Sequence, residues 1–346
     1  MVNPFKESVK YFDTPLQMAQ YLNKYSRFDY SKGRRETWVE TVDRVVSYLI
    51  ELSENKLPES DYERIRQSIL EMKAMPAMRL IATAGEVARR NNIAIFNCSA
   101  VGVDSIDAFV EALVISMNGC GVGYSVESRF VDQLPVVKVQ NGKPSDLFVI
   151  PDTTEGWADA LRYGLERWMN GDDIRFDYSL IRPFGAPLKI KGGTASGSGV
   201  LKELLDFTRK TVLNRQGEKL TSVDCHDIMC MVGYASISGS SRRSALINLF
   251  DVNDPLMNTC KDDDVFHYQG SPKYDGSGYW ESNLNVQRGN ANNSGVWTRL
   301  LNQDEVNQYV DTMHASGRGE PGIFSRYAAQ LSIPIRRKQH QWLTNP

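Results

Sequence analysis

The stretch FNCSAVGVDSIDAFVEALVISMNGCGVGYSVE, residues 96–127, decides the fold class. Together with the residues NNIAI just before it, its first part predicts an apolar strand with Cys98 at the end of that strand. After Asp104, the apolar residues Phe109, Val110 and Leu113 recur at the spacing of one helix face. Three glycines between residues 119 and 123 then open a second β-prone run at Tyr124. A strand, a helix and a second strand in this order predict an α/β domain with parallel strands.

The same alternation continues toward the C-terminus, whereas the N-terminal residues read as helical. Apolar residues at helical spacing predict helices after Trp38, after Thr154 and across residues 201–212. Ser60 with Glu63 predicts a capping box, and Thr221 with Asp224 predicts the start of another helix. We therefore expect a helical region over residues 1–85 and an α/β domain over residues 86–346. Ligands of such a domain are expected at the carboxyl ends of the strands, near glycine-rich loops.

Composition excludes several classes of protein. The chain has 346 residues, of which 41% are hydrophobic and 24% charged, with a net charge of −2. The chain lacks the excess of basic residues that is typical of proteins that bind nucleic acid non-specifically. It also lacks an apolar run of the roughly 18 residues that a membrane-spanning helix needs. The N-terminus lacks the apolar core of a signal peptide, so a cytoplasmic protein is expected. Five dispersed cysteines without a Cys-x-x-Cys, and four dispersed histidines, predict neither a disulfide framework nor a metal site.

Two glycine- and serine-rich loops suit anionic ligands. The segment IKGGTASGSGVLKELLDF, residues 190–207, places a flexible loop at the start of an amphipathic helix, where backbone N–H groups suit a phosphate. The segment SISGSSRRSALI, residues 236–247, carries the pair Arg242 and Arg243, which suits a phosphate or a nucleobase. The alternatives are a plain connector for the first loop and solvated arginines for the second.

Two further segments are open to more than one interpretation. Cys98 is either a small core residue or a reactive thiol, and Cys120 favours a structural role. The polar cluster Asn292, Asn293 and Ser294 either binds a sugar or base or forms a turn before Val296.

The order of these motifs resembles one enzyme family. The segments GRRETWVETVDRVV, MPAMRLIATAG, FNCS, GCGVGYSVE, DTTEGWADALRY, IRPFGAPLKIKGGTASG, LTSVDCHDI, SRRSALI, NNS and GEPGIF occur in the order seen in ribonucleotide reductase large subunits. They are most similar to the adenosylcobalamin-dependent (class II) ribonucleoside-triphosphate reductases. The resemblance covers roughly residues 25–346.

That resemblance implies a fold and a chemistry. The expected fold is a ten-stranded α/β barrel, incomplete in this chain, behind a helical N-terminal region. In the family, a cysteine on a finger loop becomes a thiyl radical and abstracts the ribose 3′-hydrogen. Water then leaves C2′, and two further cysteines supply the electrons and form a disulfide. The implied cofactors are adenosylcobalamin and an external dithiol such as thioredoxin, although a metal-containing partner subunit remains an alternative radical source.

Particular residues match the family's motifs. Cys98 matches the first redox cysteine, and Asn345 matches the asparagine that binds the ribose hydroxyls beside the radical site. Ala77 and Ser99 lie in segments that line the substrate pocket. The loops that couple an allosteric deoxynucleotide to substrate choice contain Gly192, Gly193, Thr194, Ser196, Ser240, Arg242 and Arg243.

The resemblance also predicts what this chain works with. Asn345 and Pro346 match the first two letters of the family's Asn-Pro-Cys-Gly-Glu motif, so we expect a chain cut in the finger loop. Such a chain needs a C-terminal fragment, supplied by a split gene or after removal of an intein. The alternatives are a non-catalytic nucleotide-binding regulator and a fragment whose end point has no biological meaning. Whether the substrate is a di- or triphosphate stays open.

Two departures from the family pattern bear on assembly and regulation. The segment VDQLPVVKVQNGKPSDLFVIPDTTEGW, residues 131–157, is too short for the insertion by which monomeric triphosphate reductases mimic a dimer partner. This favours a homodimer. Because few residues precede the shared region in this sequence, we do not expect an ATP-cone activity domain. The expected ligands are a ribonucleotide and a deoxynucleotide effector, with no DNA or RNA and no membrane.

Overall fold

The structure is a computed structural model that describes residues 5–143, 145–188, 194–237, 246–262, 267–269, 279–281, 285–317 and 319–337. The chain divides into two compact units. The first comprises the described residues of Met1–Asn97 and Pro187–Thr194. The second comprises those of Cys98–Ala186 and Ala195–Pro346. The chain thus passes between units at Cys98, whereas the boundary expected from sequence lies at residues 85 and 86 and stays a prediction.

The first unit is built from helices around one apolar core. Trp38, Val42 and Val45 are buried in that core, as their spacing predicts, and a capping box at Thr37 and Glu40 begins their helix. The capping box expected at Ser60 is wrong, because the next helix begins one residue earlier, at Glu59, behind Pro58. The elements are α1 (Pro15–Lys24), β1 (Phe28–Asp29), β2 (Arg34–Arg35), α2 (Trp38–Leu52), α3 (Glu59–Leu70), α4 (Met78–Thr83), α5 (Glu86–Arg90) and 3-10 helices Val9–Tyr11 and Asn92–Ile95.

The second unit has a five-stranded sheet in which every pair of neighbours is parallel. Its strands, in spatial order, are β3 (Cys98–Gly102), β4 (Gly121–Ser125), β7 (Leu246–Asp251), β10 (Ala291–Trp297) and β11 (Gly322–Ser325). Spatial order follows chain order without a reversal. Crossovers between parallel strands are almost always right-handed, so a strand order without reversal puts the connecting segments on one face of the sheet. The other face is then free to form the interior of a barrel. The predicted α/β fold with parallel strands behind a helical region is confirmed.

The remaining elements of this unit connect the strands or pair beside them. The helices expected after Asp104, after Thr154 and across residues 201–212 are present, and Thr221 and Asp224 exchange the capping hydrogen bonds that begin α10. The elements are α6 (Ile106–Met117), α7 (Ser128–Val131), β5 (Asp146–Val149), α8 (Thr154–Met169), β6 (Ile174–Asp177), α9 (Gly199–Leu213), α10 (Ser222–Ile237), α11 (Pro255–Thr259), β8 (His267–Gln269), β9 (Tyr279–Glu281), α12 (Gln303–Ala315), α13 (Arg326–Ser332) and 3-10 helices Val286–Asn290 and Ile335–Arg337.

Strand register divides the side chains of the central sheet between two faces. Ala100, Gly123, Ile247 and Asn292 lie side by side on adjacent strands, and the row after them in sequence is Val101, Tyr124, Asn248 and Asn293. Side chains alternate along a strand, so the two rows face opposite sides. Tyr124, Asn248 and Asn293 are almost completely buried on the side of α10, which we call the helix-covered face. Ile247 and Asn292 are exposed on the other side.

No helix among the described residues combines the length and apolar character needed to cross a bilayer.

Candidate active site

Cys98 is the first residue of β3 and is exposed. The prediction that it ends a strand is wrong, because the apolar residues before it form the 3-10 helix Asn92–Ile95. The Asn91 side chain begins that helix by accepting a hydrogen bond from the Ile93 N–H, at 2.9 Å. The interpretation of Cys98 as a core residue is also wrong. Ligands were expected at the carboxyl ends of the strands, whereas Cys98 lies at the amino end of its strand.

Small residues surround Cys98 on its side of the sheet. Cys98 lies opposite Gly121, and the next row on this side contains Ala100, Gly123, Ile247 and Asn292. We call the six residues Cys98, Ala100, Gly121, Gly123, Ile247 and Asn292 the open face. The two glycines have no side chains, so the floor beside the Cys98 thiol is shallow. A molecule can therefore lie against the backbone next to that thiol.

A buried ion pair closes the carboxyl-terminal end of the same side. Glu127, two residues beyond β4, accepts hydrogen bonds from both terminal nitrogens of Arg326, at 2.5 and 2.7 Å. Its carboxylate also accepts from the Ser125 hydroxyl at 2.7 Å and from Arg129 at 3.0 Å. Only 3% of the Glu127 side chain and 6% of the Arg326 side chain are exposed. Since β7 and β10 separate β4 from β11, this contact across the sheet fits a sheet that is concave on the open side.

The Ser99 side chain does not lie beside the Cys98 thiol. Alternation along β3 turns it to the opposite side, where its hydroxyl donates to the Gly121 carbonyl at 3.1 Å. Ser99 can therefore reach the open face only through its backbone. Ala77, the other residue expected near substrate, is exposed immediately before α4 in the first unit.

The other four cysteines are buried. Burial raises the pKa of the Cys225 thiol, and it raises the pKa values of Cys230 and Cys260 to about 12 and about 11. These three thiols thus stay protonated near neutral pH, and protonated buried thiols are poor nucleophiles. Cys98 is the exposed one among the five.

Tyr124 and His226 form a polar contact under the helix-covered face. The Tyr124 hydroxyl lies 2.8 Å from His226 Nδ1 and 3.7 Å from Cys230 Sγ. Burial, followed by the charges of Lys261 and Arg288, lowers the pKa of His226 well below its usual value. The imidazole is therefore neutral in the folded protein. The buried Tyr124, His226 and Cys230 side chains form part of the core rather than of an exposed site.

The effector-loop residues fall partly within the described structure. Thr194 is exposed and forms an isolated antiparallel bridge with Pro187. Ser196 is half-buried two residues before Ser198, the N-cap residue of α9, which makes no side-chain capping bond. Gly192, Gly193, Ser240, Arg242, Arg243 and Asn345 lie outside the described residues. The phosphate-site interpretation of both loops stays a prediction.

The asparagine cluster at residues 292–294 is a strand rather than a turn. It lies inside β10, where the Asn292 side chain is exposed and that of Asn293 is 3% exposed. Sequence reasoning missed this strand because two asparagines and a serine suggest a turn. The alternation of exposed and buried side chains along this strand became clear only from its register with β7. Among the described residues, no cluster of three or more His, Cys, Asp or Glu side chains is arranged to hold a metal ion.

Comparison with known proteins shows similarity to ribonucleotide reductases in sequence and in fold. The family model of the ribonucleotide reductase alpha domain matches residues 1–84. A solved B12-dependent (class II) ribonucleotide reductase superposes on 89% of this chain and 49% of its own, with a TM-score of 0.72 at 24% identity, which shows the fold.

Curated relatives extend the similarity beyond that first segment. The adenosylcobalamin-dependent ribonucleoside-triphosphate reductase of Euglena gracilis is 29% identical over 88% of this chain and 41% of the relative. That of Lactobacillus delbrueckii subsp. bulgaricus is 29% identical over 76% of this chain and 44% of the relative. A putative enzyme of this kind from Mycobacterium phage D29 is 29% identical over 91% of this chain and 51% of the relative. The chain is thus similar to class II ribonucleotide reductases, as the motif order predicts, and it spans less than half the length of the first two relatives.

Proposed function

We propose that this chain reduces ribonucleotides to 2′-deoxyribonucleotides for DNA synthesis, together with a C-terminal portion that completes the active site. The observation that carries the proposal is the position of Cys98. It is the exposed thiol among five cysteines, and it lies on a shallow, side-chain-poor part of the barrel-facing side of the sheet. The family similarity described above supports the same chemistry.

In this proposal Cys98 is a reductant. Replacing the 2′-hydroxyl by hydrogen consumes two electrons and releases water. Cys98 and a second thiol from the C-terminal portion supply those electrons and become a disulfide, which an external dithiol such as thioredoxin reduces again. Asn345 binds the ribose hydroxyls, and Ala77 and the Ser99 backbone line the substrate site.

The radical that starts this chemistry is proposed to come from adenosylcobalamin. Such a cofactor brings its cobalt already bound in the corrin ring, and the curated relatives described above are named for their dependence on it.

An anaerobic assay tests the proposal. The protein carrying residues 1–346 with its C-terminal portion is incubated with adenosylcobalamin, a dithiol and each ribonucleoside di- and triphosphate. Deoxynucleotide formation that depends on cobalamin is expected. A folded protein that binds nucleotides but forms no deoxynucleotide contradicts the proposal and favours the regulator.

The glycine- and serine-rich loops are proposed to connect a deoxynucleotide effector to substrate choice. The change of Arg242 and Arg243 together to alanine should reduce the effector-dependent change in base preference, because the guanidinium groups supply bidentate contacts there. Relative rates of reduction of four competing ribonucleotides, with and without each effector, measure this. Unchanged effector dependence with a collapse of basal activity would contradict the role.

The short segment between α7 and α8 also supports a homodimer, with the effector bound at the interface. Sedimentation velocity with and without deoxynucleotide should show a dimer that the effector stabilises. A monomer under both conditions argues against this assembly.

A further inference from the structure

Asn292 presents an amide on the open face without a hydrogen-bond partner among the described residues. It is the second residue of β10 and lies in register with Ile247. Ile247 is in turn in register with Gly123, and Gly123 with Ala100. Cys98 is two residues before Ala100 on β3, so its side chain has the same direction as that of Asn292. A thiol and an amide therefore mark two ends of one exposed surface.

The surface between these two groups is suited to a ligand that lies across the strands. Three strand spacings separate β3 from β10, about 14 Å along a flat sheet. The concavity indicated by the Glu127–Arg326 contact shortens that path. The floor consists of Ala100 and the two glycines, and Ile247, with 49% of its surface exposed, is the large apolar group between the ends. An extended nucleotide can span this distance.

The Cys98 thiol and the Asn292 amide differ in chemistry, and this difference fixes the direction in which a nucleotide lies between them. The Cys98 thiol has to approach the ribose at C2′ if it is the reductant. The remainder of the nucleotide then extends toward Ile247 and Asn292. A carboxamide both donates and accepts hydrogen bonds, so it can bind the edge of a base or a phosphate oxygen.

We propose that Asn292 is a substrate-binding residue, which contacts the part of the ribonucleotide remote from C2′. This inference rests on the proposed function, because the role of Cys98 fixes which end of the nucleotide lies where. Asn293 takes no part in binding, since its side chain is buried on the helix-covered face and donates to Cys260 Sγ at 3.3 Å.

The test measures binding separately from turnover. In the enzyme with its C-terminal portion, Asn292→Ala should raise the Kd and the KM of the ribonucleotide about three- to tenfold, as expected for the loss of one hydrogen bond. Asn292→Asp should weaken a triphosphate more than the corresponding nucleoside if the contact is to phosphate, and both alike if it is to the base. The kcat should change less than the KM in Asn292→Ala.

A matched variant controls for non-specific effects. Asn307 is an exposed asparagine on α12, whose side chain accepts from Gln303 at 3.0 Å. Asn307→Ala should leave the Kd and the KM unchanged. Binding is measured by equilibrium dialysis with CTP and with cytidine, and folding by the thermal unfolding midpoint of each variant.

Two results would overturn the assignment. One is an unchanged Kd for folded Asn292→Ala and Asn292→Asp. The other is a fall in kcat without a change in Kd, which would mean that Asn292 contacts other protein groups rather than the ribonucleotide. A wild-type enzyme that binds ribonucleotide without reducing it contradicts the proposed function alone, because the Asn292 binding data are obtained without turnover.

Discussion

The two sides of the central sheet give cysteines from the same domain opposite properties. On the open side, Cys98 stands exposed among glycines at the amino end of β3. On the helix-covered side, Cys230 and Cys260 are buried, with pKa values raised to about 12 and about 11. Asn292 and Asn293, which are neighbours on β10, show the same contrast within one strand, because successive side chains face opposite sides of the sheet. Residue type alone does not separate a reactive thiol from a structural one.

The largest effect is expected from Cys98→Ser. In the enzyme with its C-terminal portion, dithiol-supported turnover should fall by roughly a thousandfold or more, because the hydroxyl cannot supply electrons or form a disulfide. Cys260→Ser is the matched control and should retain turnover, since that thiol is buried and protonated. Multiple turnover of Cys98→Ser at the wild-type rate would contradict the comparison.

The change Glu127→Gln tests the buried ion pair between Glu127 and Arg326 at the carboxyl-terminal end of the open side. This change leaves the buried Arg326 guanidinium without a counter-charge, which typically costs about 3–5 kcal/mol of the free energy of unfolding. Urea unfolding followed by tryptophan fluorescence measures it. Adding Arg326→Met to the same protein should recover much of the loss.

An exposed ion pair provides the control for that experiment. Glu86 and Arg90 on α5 have side chains that are 62% and 60% exposed. Glu86→Gln should therefore cost about 0.5 kcal/mol or less, as is usual for surface pairs on a helix. Equal losses in Glu127→Gln and Glu86→Gln would show that the buried pair does not hold the end of the sheet.

A smaller effect is expected on the helix-covered side from His226. Its folded-state pKa lies below the unfolded value of about 6.5, so the unfolded chain binds the additional proton as the pH falls. Stability from the neutral imidazole is present above pH 6.5 and is lost below it. Between pH 7.5 and 5.5 the wild type should lose about 1.4 kcal/mol more than His226→Gln. Parallel pH dependences of the two proteins in urea unfolding would argue against a buried neutral histidine.

Local sequence signals predicted much of the fold. Apolar residues at helical spacing, such as Trp38, Val42 and Val45, and the cap at Thr221 and Asp224 specify helices through contacts between near neighbours. The capping box at Ser60 failed because the helix begins at Glu59, one residue before the expected cap.

The site was less accessible from sequence because it depends on register between distant strands. Cys98 matched a family motif, but its position opposite Gly121 and its exposure became visible only in the folded sheet. The Glu127–Arg326 pair joins residues 199 positions apart, which no local pattern indicates. Asn292 and Asn293 have the same chemistry in sequence and differ only in the side of the sheet that each faces.

A single-turnover experiment tests the role of Cys98 most directly. The pre-reduced enzyme with its C-terminal portion is mixed anaerobically with adenosylcobalamin and a ribonucleotide, without external dithiol, and its disulfides are mapped by mass spectrometry. We predict about one deoxynucleotide per active site and one new disulfide that contains Cys98. Product formation with Cys98 still a free thiol, or with a new disulfide between helix-covered cysteines such as Cys230 and Cys260, would contradict the account.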